Sequence, residues 1–378
     1  MSELLQEQKS KRLIALDVFR GATVALMITV NNPGSWGHIY APLRHAAWFG
    51  CTPTDLVFPF FLFIVGVAMW YAFSKYDHKL TRESGIKIIK RSIIIFLLGL
   101  ILNMVRPVSS FGDFWGKLRI MGVLQRIGIA YGVASFMVLT LKPRSLVRAS
   151  GALLLVYWFI LALLGDFSLE GNFANKFDIA LLGTSHVYHG YGIPFDPEGI
   201  FSTIPALVTA ILGYFTGSWI TQAKNPKEAV KKLIIKGVWF TLAGLLWGLF
   251  FPIGKPLWTS SYVVYTGGLA MITLGLAILL IDVWGIKKWA TPFVEFGANP
   301  LFIFVLSNFV VKILVYVFKW KDAAGKTTNL KNWLFDHFFV VLSNGSLING
   351  SLLFALTLIF FYWYLVHVLY KKKIFIKI

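Results

Sequence analysis

Apolar runs near or above 18 residues recur along the chain from Leu13 to about Tyr370, broken by short stretches rich in Lys, Arg, Pro, Gly and Asn. Each run is long enough to cross roughly 30 Å of hydrocarbon. In hydrocarbon the backbone must satisfy its own hydrogen bonds, and the runs are continuous rather than alternating, so the pattern predicts helices and not barrel strands. The spans drawn from it are 13–31, 55–74, 91–106, 120–141, 148–165, 200–221, 233–251, 260–283, 291–318 and 350–370. A further apolar segment, "WLFDHFFVVLS" (333–343), is too short to cross and reads as a re-entrant or interfacial helix; a crossing there would add one span to about ten. No internal repeat is visible, which disfavours the inverted-repeat plan of many transporters. The expected fold is an all-α polytopic membrane bundle forming one domain over 1–378, with a short tail at 1–12 and a basic tail at 371–378.

Composition supports that class. Of 378 residues, 57% are hydrophobic and 14% charged, with a mean hydropathy of +0.70; a soluble domain would carry about 25% charge. The net charge of +19 does not point to nucleic acid, because the basic residues sit in short loops between spans, where they act as a topology signal. A single cysteine, Cys51, excludes an internal disulfide and a cysteine-based zinc site. The first apolar run is too long for a signal peptide and lacks a clear cleavage site, so it reads as a retained helix.

Charge then orients the bundle. Lys9, Lys11 and Arg12 precede the first span; Lys75, Lys79, Arg82, Lys87, Lys90 and Arg91 follow the second; Lys142, Arg144 and Arg148 the fourth; Lys224 to Lys236 the sixth; Lys287 and Lys288 the eighth; Lys371 to Lys373 the last. These alternate loops agree on the cytoplasm and place both termini there. Lys319, Lys321, Lys326 and Lys331 dissent, falling on the outer side. That side also collects the Pro-, Gly- and Trp-rich loops.

Ionisable groups within or beside the spans are costly and call for a role. Asp17 and Arg20 share one face of the first helix and can pair; Arg20 alternatively offers a guanidinium to phosphate. Gln125 and Arg126 lie early in the fourth span, too deep for easy snorkelling, so Arg126 needs a buried anion: a carboxylate such as Asp17, or a bound phosphate. His45 sits in a polar outer loop, next to Trp48, and suits proton transfer or nucleophilic attack. Asp55 opens the second helix as a cap or as an imidazole-orienting carboxylate. Asn31, closing the first helix, can donate to an oxyanion. His186 and His189 share an outer loop with Asp178, Asp196 and Glu198, but no zinc-binding helix pattern accompanies them, so no metal is expected.

The blocks "RLIALDVFRGATVALMITVNNPG", "HAAWFGCTPTDLVFPFFLFIVG", "LRIMGVLQRIGIAY", "FDPEG…STIPA", "LWTSSYV" and "FGANPLFIF" resemble the transmembrane N-acetyltransferases typified by heparan-alpha-glucosaminide N-acetyltransferase. The resemblance runs from residue 12 to about 304. It implies transfer of acetyl from cytoplasmic acetyl-coenzyme A to the amine of a terminal glucosamine on the opposite side. The family histidine matches His45 and the asparagine closing the first span matches Asn31. Arg20, Gln125 and Arg126 are then candidate donor contacts, and Trp48, Asp196, Glu198 and Trp258 candidate acceptor contacts. The partners expected are acetyl-coenzyme A, an amino-sugar or glycan acceptor and the lipid bilayer, without nucleic acid; a homodimer is compatible with the sequence. Lysosomal members carry a luminal N-terminal region and an extra leading span, whereas this chain opens on a short tail, which fits a bacterial cytoplasmic membrane with the reactive loops facing outward. The outer loop "NNPGSWGHIYAPLRH" also differs from the lysosomal form. Two rivals stand beside this reading: a transporter or flippase of a glycan or lipid-linked sugar, and an O-acyltransferase of an exported polysaccharide.

Overall fold

A computed structural model of the chain describes residues 13–107, 110–321 and 325–376. The tail 1–12, with Lys9, Lys11 and Arg12, lies outside the described residues, as do 377 and 378 of the basic tail. The helices are α1 (Ile14–Asn31), α2 (Val57–Phe73, entered through a 3-10 turn at Pro53–Leu56), α3 (Arg82–Met104), short α4 (Phe111–Gly116), α5 (Val123–Thr140), α6 (Pro143–Leu164), α7 (Phe173–Leu182), α8 (Thr203–Thr221), α9 (Pro226–Gly248), α10 (Ser260–Ile278, extended by a π turn to Val283), α11 (Thr291–Ala298), α12 (Pro300–Tyr316), α13 (Leu330–Leu334, continued as a π turn and a last turn to Leu342) and α14 (Leu347–Lys371). Local chemistry sets the starts. Thr81 accepts from the N–H of Ser84 ahead of α3, and Asn225 from that of Glu228 ahead of α9, where Pro226 occupies the first turn.

Among the described residues seven helices are long and apolar enough to cross a membrane, or eight if the bent pair α11–α12 is one span. The other two expected spans are helices of sufficient length, α3 and α9, but their first halves carry Arg82, Glu83, Lys87, Lys90 and Arg91, and Lys227, Glu228, Lys231, Lys232 and Lys236. The span drawn at 291–318 is broken in two: the chain bends by 75° at Asn299. Pro300 lacks the N–H that would continue the ladder and pushes the preceding residue out of helical geometry. Asn299 instead bonds the backbone of Ile374 and Ile376. The segment 333–343 falls in a helical stretch of about 20 Å, short of the hydrocarbon thickness, whose Phe335 and Phe339 pack on Phe354 of α14. Among the described residues the all-helix expectation has one exception, an antiparallel pair of three-residue strands, β1 (Lys319–Lys321) and β2 (Thr327–Asn329); of the dissenting lysines, Lys319 and Lys321 lie on β1, Lys326 precedes β2 and Lys331 lies on α13. The last of these, Lys331, is buried near the ring of Phe354, and that burial lowers its pKa to about 8.

The core is built by close helix crossings. At α2–α8, a Cβ on Gly66 would stand 1.8 Å from the carbonyl oxygen of Ala210, and one on Gly213 would stand 2.0 Å from that of Phe63. At α1–α11, a Cβ on Gly21 would meet the Phe293 oxygen at 1.7 Å. Lipid offers no hydrophobic drive between helices, so backbone approach at small residues supplies the packing.

Helices α2, α5, α8 and α10 all start at one end of the bundle. There the Tyr262 hydroxyl donates to the Asp55 carbonyl oxygen, the Trp258 indole to Thr209, and Gly50 bridges Gly254. The same four helices each run into a lysine- or arginine-bearing loop at the opposite end.

Gly66→Ala and Gly213→Ala are each expected to lower the melting temperature in detergent, by an overpacking cost of about 1–3 kcal/mol. The two together should cost less than their sum, because they widen one crossing. Gly151→Ala, on a face of α6 with nothing within 4 Å of an added Cβ, should leave it unchanged.

Candidate active site

The polar loop between α1 and α2 folds around Asp55. Thr52 and Asp55 cap each other: Asp55 Oδ2 accepts from the N–H of Thr52 at 3.0 Å and from its hydroxyl at 3.0 Å, and from the N–H of Ala46 at 3.0 Å. Oδ1 lies 2.6 Å from His45 Nδ1. A carboxylate only accepts, so Nδ1 carries a proton, and in the neutral imidazole the lone pair is on Nε2. The Asp55 side chain is 2% exposed and that of His45 39%, so the carboxylate is sealed while the imidazole opens outward. The single Thr52 hydroxyl hydrogen lies between Asp55 Oδ2 and the Arg44 carbonyl oxygen, 2.8 Å from the hydroxyl, which closes the loop on itself.

A third group joins from the loop before α10. Lys255 Nζ lies 3.3 Å from His45 Nδ1, 3.5 Å from Nε2 and 3.9 Å from Asp55 Oδ1. Burial pulls its pKa below the ordinary lysine value, while the Asp55 and Glu198 carboxylates pull it back. The sequence reading missed Lys255. The signal available was its place in "GKPLWT", a tight turn beside a block that the resemblance already quoted. In that turn the N–H of Trp258 bonds the carbonyl oxygen of Lys255 at 3.0 Å and Trp258 takes φ +49°, a conformation rare for a bulky residue and costing about 1–3 kcal/mol. The turn is stitched to the His45 loop by the Gly50 N–H on the Ile253 carbonyl oxygen at 2.7 Å.

Behind this triad lies a second cluster. Arg119 Nε and Nη2 grip Asp196 at 2.9 and 2.7 Å, and Nη2 also meets Glu198 at 2.6 Å. Both proposed acceptor carboxylates are therefore committed to an arginine that the sequence reading did not single out. Arg126 is wholly buried; one of its nitrogens bonds the Ser202 hydroxyl and the Gly199 carbonyl oxygen, and its guanidinium lies 5.0 Å from the Trp258 ring centre. Its Nε and Nη1 lack a hydrogen-bond partner among the described residues. Of the partners considered for Arg126, Asp17 is not one: it pairs with Arg20 at 3.2 Å on α1, as their spacing allowed, while the carboxylates whose charge acts on Arg126 are Glu198, Asp196 and Asp178. Burial, aided by Asp196, pushes Asp178 up to about 7 against the bonding N–H of Phe201.

The remaining candidates scatter. Arg20 sits at the α1–α11 crossing, bonding the Gly297 carbonyl oxygen at 3.3 Å, about 16 Å along α1 from Asn31. Asn31 is exposed at the end of α1, whereas its neighbour Asn32 is buried and donates to the Ile28 carbonyl oxygen. Gln125 is buried and wedged against Gly99 and Gly122. Trp48 is held by Phe195 and Tyr191 and donates to the Phe167 carbonyl oxygen at 2.8 Å, and Trp258 is wholly buried; both brace the site rather than face outward. The rings of His186 and His189 bond the carbonyls of Leu118 and Thr184, and among the described residues no three His, Cys, Asp or Glu side chains converge on a metal position. Cys51 adjoins the loop, but burial and the Asp55 charge raise its thiol to about 12, which keeps it protonated and poorly nucleophilic at neutral pH.

Chemically, the arrangement is a carboxylate-oriented imidazole with a neighbouring cation, at the mouth of an apolar bundle. Comparison with known proteins gives the same direction. A heparan-alpha-glucosaminide N-acetyltransferase of mouse is 28% identical over 99% of this chain and 61% of its own length, and the human protein of that name is 29% identical over 82% of this chain and 55% of its own. The chain thus spans roughly six-tenths of the relatives it matches. The family model described as heparan-alpha-glucosaminide N-acetyltransferase, catalytic, matches residues 12–245, well over half of the chain, and on that match the chain belongs to this family.

Proposed function

We propose that the protein is a membrane-embedded acyltransferase that moves acetyl from acetyl-coenzyme A to the amine of a glucosamine-type sugar. The observation that carries this reading is the 2.6 Å bond between Asp55 and His45 Nδ1, which leaves Nε2 free to take a proton at the open end of the bundle. In the proposed reaction the acceptor nitrogen attacks the thioester carbonyl and Nε2 receives the proton that the amine loses. The tetrahedral oxyanion collapses, the carbon–sulfur bond breaks, and the thiolate leaves to be protonated by the imidazolium. Asp55 holds the ring in one tautomer and balances its charge. Lys255 supplies an N–H donor where negative charge develops on oxygen and then on sulfur. Asn31 is a second candidate donor to the oxyanion. Asp196 and Glu198, through Arg119, shape the wall against which the acceptor is held, with Trp48 and Trp258 as its aromatic braces. The surrounding spans keep water from the thioester.

The donor is proposed to enter from the cytoplasm and the acceptor from the other side. Support comes from the basic loops gathered at the end of the bundle opposite His45. The setting that fits is a bacterial cytoplasmic membrane with the His45 end facing outward.

In purified protein with acetyl-coenzyme A and glucosamine, His45→Gln is expected to lower turnover by about 10²–10⁴-fold, the range for a general base, with the melting temperature little changed because the Gln amide can still donate a hydrogen bond to the Asp55 carboxylate. A variant that turns over like wild type refutes the role. Incubation without acceptor separates direct transfer from an acetyl-histidine route: label retained on His45 in the denatured protein would favour the latter. A transporter would give no N-acetylated product, and an O-acyltransferase would give a base-labile ester.

Lys255→Met should reduce kcat by about 10²-fold, as for loss of one oxyanion donor, with a smaller change in KM. Lys255→Arg should restore part of the rate.

In sealed vesicles of known orientation, acetyl-coenzyme A added only on the His45 side should give no product. Equal rates from both sides would exclude the through-membrane arrangement.

A further inference from the structure

The mouth that exposes the His45 imidazole also holds a primary amine. Lys255 Nζ stands 3.3 Å from Nδ1 and 3.5 Å from Nε2. The two distances are nearly equal, so the amine lies over the ring rather than in line with either nitrogen. The nearest carboxylate oxygen among the described residues, Asp55 Oδ1, is 3.9 Å away, beyond hydrogen-bond length, and the ring already engages it at 2.6 Å. No carboxylate therefore locks the amine in place. Among the described residues this is the one lysine nitrogen within hydrogen-bond range of a histidine ring. Its side chain is 20% exposed and that of His45 39%, so a molecule that reaches the ring also reaches the amine. Burial disfavours the ammonium form and the Arg126 charge acts the same way, against the pull of Asp55 and Glu198. A desolvated lysine that has lost its proton carries a lone pair and attacks carbonyls; an ammonium does not.

We propose that Lys255 is a self-acetylation site: an acetyl thioester bound without its sugar acceptor gives its acetyl group to the Lys255 ε-amine. This rests on the acyl-transfer reading, which supplies the thioester. In that reading the acceptor nitrogen stands beside Nε2 to give up its proton, and the lysine nitrogen is already 3.5 Å from that atom. The lysine stem is flexible, and rotation of its last bonds swings Nζ from above the ring toward the Nε2 lone pair. The nitrogen lone pair then attacks the thioester carbonyl carbon and a carbon–nitrogen bond forms. Nε2 takes the proton that the nitrogen loses. The oxyanion collapses, the carbon–sulfur bond breaks, and the thiolate takes that proton from the imidazolium, so the ring ends as it began. The product is a neutral amide. An amide nitrogen is a poor leaving group, so this acetyl is not passed on, unlike one carried on imidazole. It also fills space beside His45 and leaves the Lys255 nitrogen a single N–H. A bound sugar amine takes the place beside Nε2 and is acetylated instead, so the acceptor protects the lysine. Without acceptor, each chain spends one thioester on itself and loses turnover.

The test incubates the full chain in detergent with acetyl-coenzyme A, with and without glucosamine, and maps acetyl groups by peptide mass spectrometry after hydroxylamine treatment, which strips acetyl from imidazole and thiol but not from an amide. The expected result is a single stable acetyl on Lys255, formed about tenfold or more faster than on Lys287 or Lys288 and suppressed by glucosamine. His45→Gln should slow the labelling by about 10²-fold, as for loss of a general base. Turnover of wild type incubated with donor alone should fall in step with the labelling. The residual turnover of Lys255→Arg should not fall, because guanidinium keeps its proton. N-acetylglucosamine formation with Lys255 unlabelled overturns the inference and leaves the acyl-transfer reading standing; absence of both product and label overturns both. Equal labelling of Lys255 in wild type and His45→Gln, or of Lys255, Lys287 and Lys288 alike, marks uncatalysed acetylation and also overturns it. The labelling and its suppression by glucosamine are read on wild type, so they hold as a test even where a variant does not fold.

Discussion

The Asp55 carboxylate is sealed from water at the edge of an apolar bundle, and its need for partners organises the surrounding loops. Four contacts converge on its two oxygens, from His45, Ala46 and twice from Thr52, while its backbone carbonyl receives the Tyr262 hydroxyl from α10. An unpaired charge in such a place would cost several kcal/mol. Meeting that requirement bends the 44–56 loop back onto itself and starts α2. It also presents the imidazole outward in one tautomer. Capping and site assembly are therefore the same set of bonds.

The cation that completes the triad depends on a different element. Lys255 reaches His45 because the 254–259 turn is tight, and the turn is tight because Trp258 accepts a left-handed backbone conformation with its indole bonded to Thr209. Trp258 also flanks Arg126, which binds the Ser202 hydroxyl and the Gly199 carbonyl oxygen. Gly199 follows directly on Glu198, held with Asp196 by Arg119. Three loops distant in sequence are thereby locked into one polar end. The opposite end shows the reverse economy, with cations gathered in its loops and fewer acids to balance them.

Between these ends the bundle is held by contact rather than by charge. Glycines at the α2–α8 and α1–α11 crossings bring backbones together, and the kink at Asn299 swings α12 away so that Asn299 can bond the residues after α14. The glycine crossing of α2 with α8 fixes the starts of those two helices, and Arg126 on α5 joins them through the Ser202 hydroxyl ahead of α8 and the Trp258 ring ahead of α10.

Much of this was legible in the sequence, because the constraints are local or one-dimensional. Hydrocarbon thickness demands long apolar runs, so the helices and most of their limits follow from hydropathy. Charge in the intervening loops sorted the two ends, and a polar loop holding His45 and Asp55 beside an apolar span marked the candidate site. Pairing in three dimensions was not legible. Whether Arg126 faces Asp17 or Glu198, whether Asp196 is open or bound by Arg119, and whether Trp258 lines a surface or a core depends on which helix faces touch, and residues far apart in sequence carry no mark of that contact. Lys255 is the clearest case. In the sequence it is one of 36 basic residues; only the turn that carries it against His45 distinguishes it from the lysines of the solvent-facing loops.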